Sequence, residues 1–452
     1  MTPRPARWRR RALRWLAPLL LLAASCVPYA SKVSQVRTDL AGGDPAAALA
    51  RVEKMGGDGL PELMERGLLQ YLTGDLAGCQ ETFARAEQVV QDLYTRSLTR
   101  EAARLIINDT VQAYRGEIFE RVWIHYYRAL GYLAAGAPHE AAVEGRAVTV
   151  DLERYADTGP DEAKYTNDPF LQYFAGLLYE ADGELNDAWI NYRQAERLYQ
   201  AVDVYGVPGP PEPLVADLLG AGRALRFDEE AAAYEERYAD VDVPARVPGE
   251  GDLVVLVETG LVPAKLNNRL DFPIFGDKDD DDDDAAWVLA EDSYHVWRRG
   301  EEREVKYWLS IALPSVDEPE PPPGGMCWRA AGRRGELELA ADLGALSRQC
   351  LEDRYQSVVV RTVARALIKY WAKEKTEEEH GQAAGFLVDI LGSVTEQADT
   401  RAWSTLPGYV LIGRGRLPAG EHVLAVQGAG LSGQATVTIE PGRMNFVAMR
   451  LF

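Results

Sequence analysis

The pattern of apolar and polar positions divides the chain in two. Through residue 240 the apolar positions follow helical spacing, in pairs of stretches joined by a glycine. In "MERGLLQYLTGDLAGCQETFARAEQV", residues 64–89, Gly67, Gly74, Cys79, Phe83 and Ala86 mark one such pair. In "LQYFAGLLYEADGELNDAWINYRQAERLY", residues 171–199, Gly176, Tyr179, Gly183, Ala188, Tyr192 and Ala195 repeat the offsets. Fainter copies run through residues 36–55, with Gly43 and Ala48, and 126–148, with Tyr132, Gly136 and Ala141. Residues 213–239 read as one more pair, and residues 95–125 as a long helical stretch in the widest gap. Beyond "DVDVPARVPGEGDL", residues 240–253, the spacing changes. "DLVVLVETG" and "VKYWLSIALP" are short β-branched runs of the buried-strand kind, and "GELELAADL" alternates. Residues 344–375 carry one long helical pattern. The tail, "GYVLIGRGRL", "EHVLAVQG", "QATVTIEPG" and "MNFVAMRLF", predicts an antiparallel meander.

The repeated offsets are those of the tetratricopeptide pattern. Small residues let two helices approach, and an aromatic ring fills the space between them. Each turn glycine ends a first helix because positive φ is cheap for Gly. Such hairpins cannot bury their faces alone, so they stack into a curved solenoid. The default use of its concave face is to bind a peptide or protein. Cys79 fits as a small apolar residue where Ala is usual. The expected architecture is multidomain α+β. Residues 26–240 form a tetratricopeptide-like helical repeat domain. Residues 250–452 form a mixed α+β domain with an antiparallel sheet, interrupted by the acidic "GDKDDDDDDAA" and the Pro-rich "PSVDEPEPPPGG".

The first residues give an address. Residues 1–25 hold Arg4, Arg7, Arg9, Arg10, Arg11 and Arg14 and no acid, and an apolar run follows from Trp15 to about Ala24. That is the form of a signal peptide. The run falls short of the roughly 20 residues that span a bilayer. Ala23, Ala24 and Ser25 before Cys26 have the form of a bacterial lipobox, with Cys26 as the lipidated residue, although Ala23 stands where Leu is usual. Val27, in place of Asp, implies sorting to the outer membrane, facing the periplasm. Several acyl chains, at about 0.8 kcal/mol per buried CH₂, suffice for lasting attachment. The formal charge of the 452-residue chain is −21, or about −27 without the six leader arginines. Nucleic acid, which needs a basic surface, is thereby excluded as a partner.

Catalytic patterns fail in turn. There is no Walker GK, no HExxH and no GxSxG. "GAGLSG", residues 428–433, spells G-x-G-x-x-G but leads into "QATVTIEP", a strand, so it reads as a hairpin turn. The acidic tract puts Asp282 and Val288 where a calcium loop needs Gly and Glu. His125, His139, His295, His380 and His422 are scattered and read as packing or surface residues. No cofactor or metal is expected. After Cys26 come Cys79, Cys327 and Cys350. In an oxidising periplasm Cys327–Cys350 is a candidate disulfide, and two unpaired buried thiols are equally open. Two polar clusters stand out. One holds Asn108, Asp109, Tyr114, Arg115, Glu117 and Glu120. In the other, Asp399 and Arg401 can form a bidentate pair while Trp403, Leu406 and Pro407 anchor a turn into the sheet. A structural plug is the first reading of that cluster and a ligand or partner site the second.

"NDT…YRGEIFERV", "RALGYLAAG", "DPFLQYFAGLLYEADGELNDAWINYRQA", "LVVLVETGLVPAK" and "TEQADTRAWSTLPGYVLIGRGRLPAGEH" together resemble a family of largely uncharacterised Gram-negative lipoproteins with tetratricopeptide repeats. The resemblance covers roughly residues 100–440 and departs at the acidic tract, at residues 315–335 and in the basic leader. It implies an envelope location, no catalytic residues, and an association with lipoprotein activators of peptidoglycan synthases. The expected function is a periplasmic protein-binding scaffold held at the outer membrane by lipid. An accessory regulator of peptidoglycan synthesis or envelope assembly is the alternative. An enzyme with a site near Asp399 and Arg401 ranks last, since no nucleophile–base pair accompanies them.

Overall fold

The computed structural model describes residues 28–97, 113–156, 168–201, 207, 209–275, 305–318, 320–380 and 398–452. Cys26, Asn108, Asp109, His295 and the acidic tract lie outside these residues. Among the described residues the first half forms five helical pairs. They are α1 (Tyr29–Ala41) with α2 (Pro45–Met55), α3 (Leu60–Leu72) with α4 (Leu76–Ser97), and α5 (Ile118–Ala134) with α6 (Pro138–Ala156). Then follow α7 (Pro169–Ala181) with α8 (Leu185–Ala201), and α9 (Glu212–Leu225) with α10 (Asp228–Arg237).

The turns fall where the glycines predict. Gly74 and Gly183 adopt φ of 82° and 88°, a conformation that strains any residue with a Cβ. Glycine is also required where the helices touch. A Cβ on Gly67 would meet the Phe83 ring at 2.7 Å, and one on Gly176 the Tyr192 ring at 2.5 Å. Residues 95–125 are not one helix. Residues 113–117 are non-helical, and Glu117 starts α5 by a capping box with Glu120.

The second half holds β1 (Glu250–Thr259), β2 (Lys265–Phe275), β3 (Val305–Val316), β4 (Cys327–Ala330), β5 (Arg333–Glu336) and β6 (Glu338–Asp342). The helix α11 (Leu343–His380) follows, then β7 (Tyr409–Pro418), β8 (Gly420–Gly428), β9 (Leu431–Ile439) and β10 (Met444–Leu451). The tail is not a simple meander. Its strands divide between two sheets of order β10-β1-β7-β6 and β5-β4-β8-β9. Only β8 and β9 form a tail hairpin, and β10 runs parallel to β1, with Val255 opposite Val447. The reason lies in β1. Leu253 to Val257 are all fully buried, the mark of a central strand covered on both faces and flanked on both edges. Antiparallel β7 takes one edge and β10 the other.

The first sheet is the middle of three layers. Val254 and Leu256 of β1 and Val410 and Ile412 of β7 join the core of the helical pairs. Their neighbours Leu253, Val255, Val257 and Leu411 turn to the second sheet. The two halves expected as separate domains therefore share one continuous core. A smaller core joins Ala366 of α11 to Ile311 and Leu313 of β3, in the hairpin of β2 and β3. Cys327 and Cys350 are free, buried thiols, Cys327 on β4 and Cys350 on α11 in the helix-facing core, so the candidate disulfide is not formed.

Replacing Gly176 by Val drives a side chain into the Tyr192 ring, and overpacking of this kind costs about 1–3 kcal/mol. Chemical denaturation of Gly176→Val should show that loss, and an unchanged midpoint would refute the close-approach reading.

Candidate functional site

The inner face of the array is lined by α3, α5, α7 and α9, and it is occupied by the chain itself. Residues 398–408 lie along the first helices of the leading pairs, held by acids that the helices present. Glu65 of α3 accepts hydrogen bonds from Ser404 N at 2.7 Å, Ser404 Oγ at 2.6 Å and Thr405 N at 3.1 Å, and also from Thr405 Oγ1. Glu120 of α5 accepts from Trp403 N at 2.9 Å and from Tyr114 OH at 2.7 Å. Arg37 of α1 donates to the Ser404 carbonyl, and Ala30 N donates to Thr400 Oγ1 at 3.3 Å. The fully buried Trp403 ring sits 5.6 Å from Phe83 and 5.7 Å from Tyr127, centroid to centroid. The segment thus places backbone donors on carboxylates and a ring in the core, and it does so as a turn, with Leu406 N donating to the Trp403 carbonyl at 3.4 Å.

The sheet continues the contact along the groove. Tyr127 OH donates to Glu258 Oε2 of β1 at 3.1 Å, and Arg450 Nη1 of β10 donates to the same oxygen at 3.1 Å. Tyr199 OH donates to the Ala340 carbonyl at 2.6 Å. Arg414 of β7 forks onto Asp217 of α9, with Nη2 to Oδ1 at 2.8 Å, and Tyr173 OH donates to Asp217 Oδ2 at 2.7 Å. Lys265 of β2 reaches Glu117 Oε1 at 2.9 Å, and Arg354 of α11 donates to Glu117 Oε2. An open cleft of about 560 Å³ beside β10 is walled by Tyr71, Leu72, Leu76, Met449 and Phe452 and reaches Glu258 and Arg450.

Burial pushes the Glu65 carboxyl up, against the pull of its Ser404 and Thr405 donors. Burial likewise raises Glu120 and Glu258. For Glu117 burial also acts upward, but Lys265 and Arg354 outweigh it and hold the group at about 2. Burial pushes the Cys79 thiol to about 12 and raises that of Cys350, so neither is a ready nucleophile.

The two polar clusters marked in the sequence meet here. Arg401 pairs with Asp399 in a bidentate fork, Nε to Oδ1 and Nη2 to Oδ2 both at 2.8 Å, and its guanidinium lies 5.3 Å above the Tyr114 ring. Their opposed charges satisfy one another, and Tyr114, Glu117 and Glu120 join the same junction. Arg115 lies in the same non-helical stretch, residues 113–117. Sequence reading missed Glu65, Glu258, Asp217, Arg414 and Lys265, because each finds its partner 130 or more residues away. Asp217 has in addition a nearer partner, Tyr173, 44 residues away.

It also missed a cluster on the outer side. His125 of α5 is buried among Glu87 of α4, Glu144 and Asp151 of α6, and Arg128. Burial lowers the imidazole, but Asp151, Glu144 and Glu87 outweigh it and lift it to about 9. The other described histidines differ. His139 faces Asp182 on the surface, and His422 meets the Pro418 carbonyl.

No protein-family model matches the chain, and no curated protein matches it. Among solved structures it is similar to a Podosopora anserina putative kinesin light chain with nearly identical TPR-like repeats, at 14% identity over 47% of this chain and 93% of that one, TM-score 0.32. It is similar also to MamA, at 14% identity over 48% and 98%, TM-score 0.29. A third is an assembly chaperone of RpL4, Acl4, at 15% identity over 47% and 90%, TM-score 0.22. The chain is a helical-repeat protein by its own paired helices, and its C-terminal sheet fills the repeat groove.

Two outcomes follow from the groove. Glu65→Ala leaves two buried backbone donors unpaired and should cost about 3–5 kcal/mol in urea unfolding; a loss within about 0.5 kcal/mol, as at an ordinary surface site, contradicts the contact. The folded value of Glu117, about 2, lies below its ordinary 4.5, so its contribution is full above pH 4.5 and fades as pH falls toward 2. Thermal melts of Glu117→Gln should therefore show a shallower acid loss than the parent over that window, and parallel curves contradict it.

Proposed function

We propose that this protein is a scaffold of the outer membrane, anchored by lipid on Cys26 and facing the periplasm, that holds protein partners on the outer face of its repeats. The observation that carries the reading is the filled groove. The turn at residues 403–406 docks there through its backbone N–H groups, so the inner helices are committed to the chain itself. The outward faces of the second helices, away from Phe83 and Tyr199, are left for partners. On them Val143 and Val150 of α6 and Ile190 of α8 are 49%, 59% and 51% exposed, isolated apolar points on an acidic protein. The basic leader and lipobox support the anchor. Helix α1 starts at Tyr29, three residues after Cys26, so an acyl group there tethers the first helical pair almost directly. The family resemblance supports partners drawn from peptidoglycan synthesis or envelope assembly, whose activity the bound scaffold regulates.

Cys26→Ala should move the protein from the outer-membrane fraction to the soluble periplasm; unchanged membrane fractionation rejects the anchor. Affinity capture from cross-linked cells should recover a partner with the parent that Val143→Glu/Val150→Glu loses. Equal recovery of the same partner by both rejects the outer face as the docking surface.

A further inference from the structure

We propose that Glu87, His125 and Glu144 bind one divalent first-row transition ion of the zinc kind, which fastens the second helical pair to the third. The three residues come from α4, α5 and α6. Their ligand atoms all lie within 4.8 Å of one another. His125 Nδ1 is 2.8 Å from Glu144 Oε2 and 3.1 Å from Glu87 Oε1. A single proton on Nδ1 cannot be shared well between two carboxylate oxygens. The structure shows the consequence, for Glu87 Oε1 is buried without a hydrogen-bond partner. An ion at the point of convergence takes all three donors at once.

The surrounding groups fit that role. Arg128 Nη1 donates to Glu87 Oε2 at 2.7 Å, and Nη2 lies 3.1 Å from Glu144 Oε1. Arg128 thereby holds the outer oxygen of each carboxylate and leaves the inner oxygens facing Nδ1. On the far side of the ring, Asp151 Oδ2 lies 3.4 Å from Nε2, placed to accept its N–H. That bond fixes the tautomer with its lone pair on Nδ1, the outer-shell arrangement of many metal-bound histidines. One imidazole and two carboxylates suit zinc and its neighbours, with water in a fourth position. Calcium and magnesium prefer all-oxygen sets. The ion replaces the proton on Nδ1, which is released on binding. The ion would join the helix that ends at Ser97 to the one that starts at Ile118.

The test is calorimetric titration of Zn²⁺ into the full chain in detergent at about pH 8, where proton competition is reduced. Its aspartate tract offers weak sites of its own, so the comparison is with His125→Gln, Glu144→Gln and Glu87→Gln, which keep the tract. The parent should bind one tight equivalent. Each ligand variant should lose about 100-fold or more, and Asp151→Asn about 10- to 100-fold. Co²⁺ should give the parent the visible spectrum of a four-coordinate nitrogen–oxygen site and not the variants. Glu87 is the most exposed of the three ligands, so its variant keeps the comparison open if the buried ones unfold by circular dichroism. Identical Zn²⁺ isotherms for the parent and folded Glu87→Gln, or a parent without a tight equivalent, overturn the proposal and leave a metal-free ion-pair network.

Discussion

A helical pair buries one face against its neighbours and leaves another open, and that open face has to be covered. Everything in this structure follows from how the chain covers it. Glu65 and Glu120 stand on the inner face as bare acceptors, and a carboxylate in such a place needs donors. The backbone of Trp403, Ser404 and Thr405 supplies them. The Trp403 ring then fills the hollow between Phe83 and Tyr127, so the segment contributes apolar burial and donors together.

A division of labour runs along most of the groove, with Glu258 of the sheet and Arg37 of the array as the exceptions. The array supplies acids, Glu117, Glu120 and Asp217. The C-terminal half supplies cations, Lys265, Arg354 and Arg414. Buried ion pairs add little net stability over apolar contacts of equal size, yet breaking one is costly. Their effect is to fix register: each cation has one partner, and a shifted sheet would leave several buried charges unpaired. Stability comes from the shared core, in which β1 and β7 face the helices with one set of side chains and the second sheet with the other. Unfolding one half exposes the face of the other, so the two should come apart together.

Where the sequence was legible, the physics was local. The turn glycines at 43, 74, 136 and 183 all sit at positive φ, as a turn of that shape requires. Gly67 and Gly176 face aromatic rings sixteen residues on, Phe83 and Tyr192, because the two helices of a pair must touch. The runs at β1, β3 and α11 announce themselves by β-branching and period. Asp399 with Arg401 is readable for the same reason, two residues apart in one chain segment. Less local features were misjudged. The tail strands carry the right period, but no period says which sheet a strand joins or that β10 runs parallel to β1.

The sequence alone determined the paired helices, the strands, the acidic balance and the chemistry available to each segment, since these depend on neighbours a few residues apart. Only the tertiary structure decided that the groove is filled from within. It alone brought Tyr114 and Glu120 to Arg401 and Trp403, and gathered His125 with acids from two other helices. Those outcomes rest on pairings across tens to hundreds of residues. Their selection depends on which buried donor meets which buried acceptor, a property of the packed chain that no window of sequence contains.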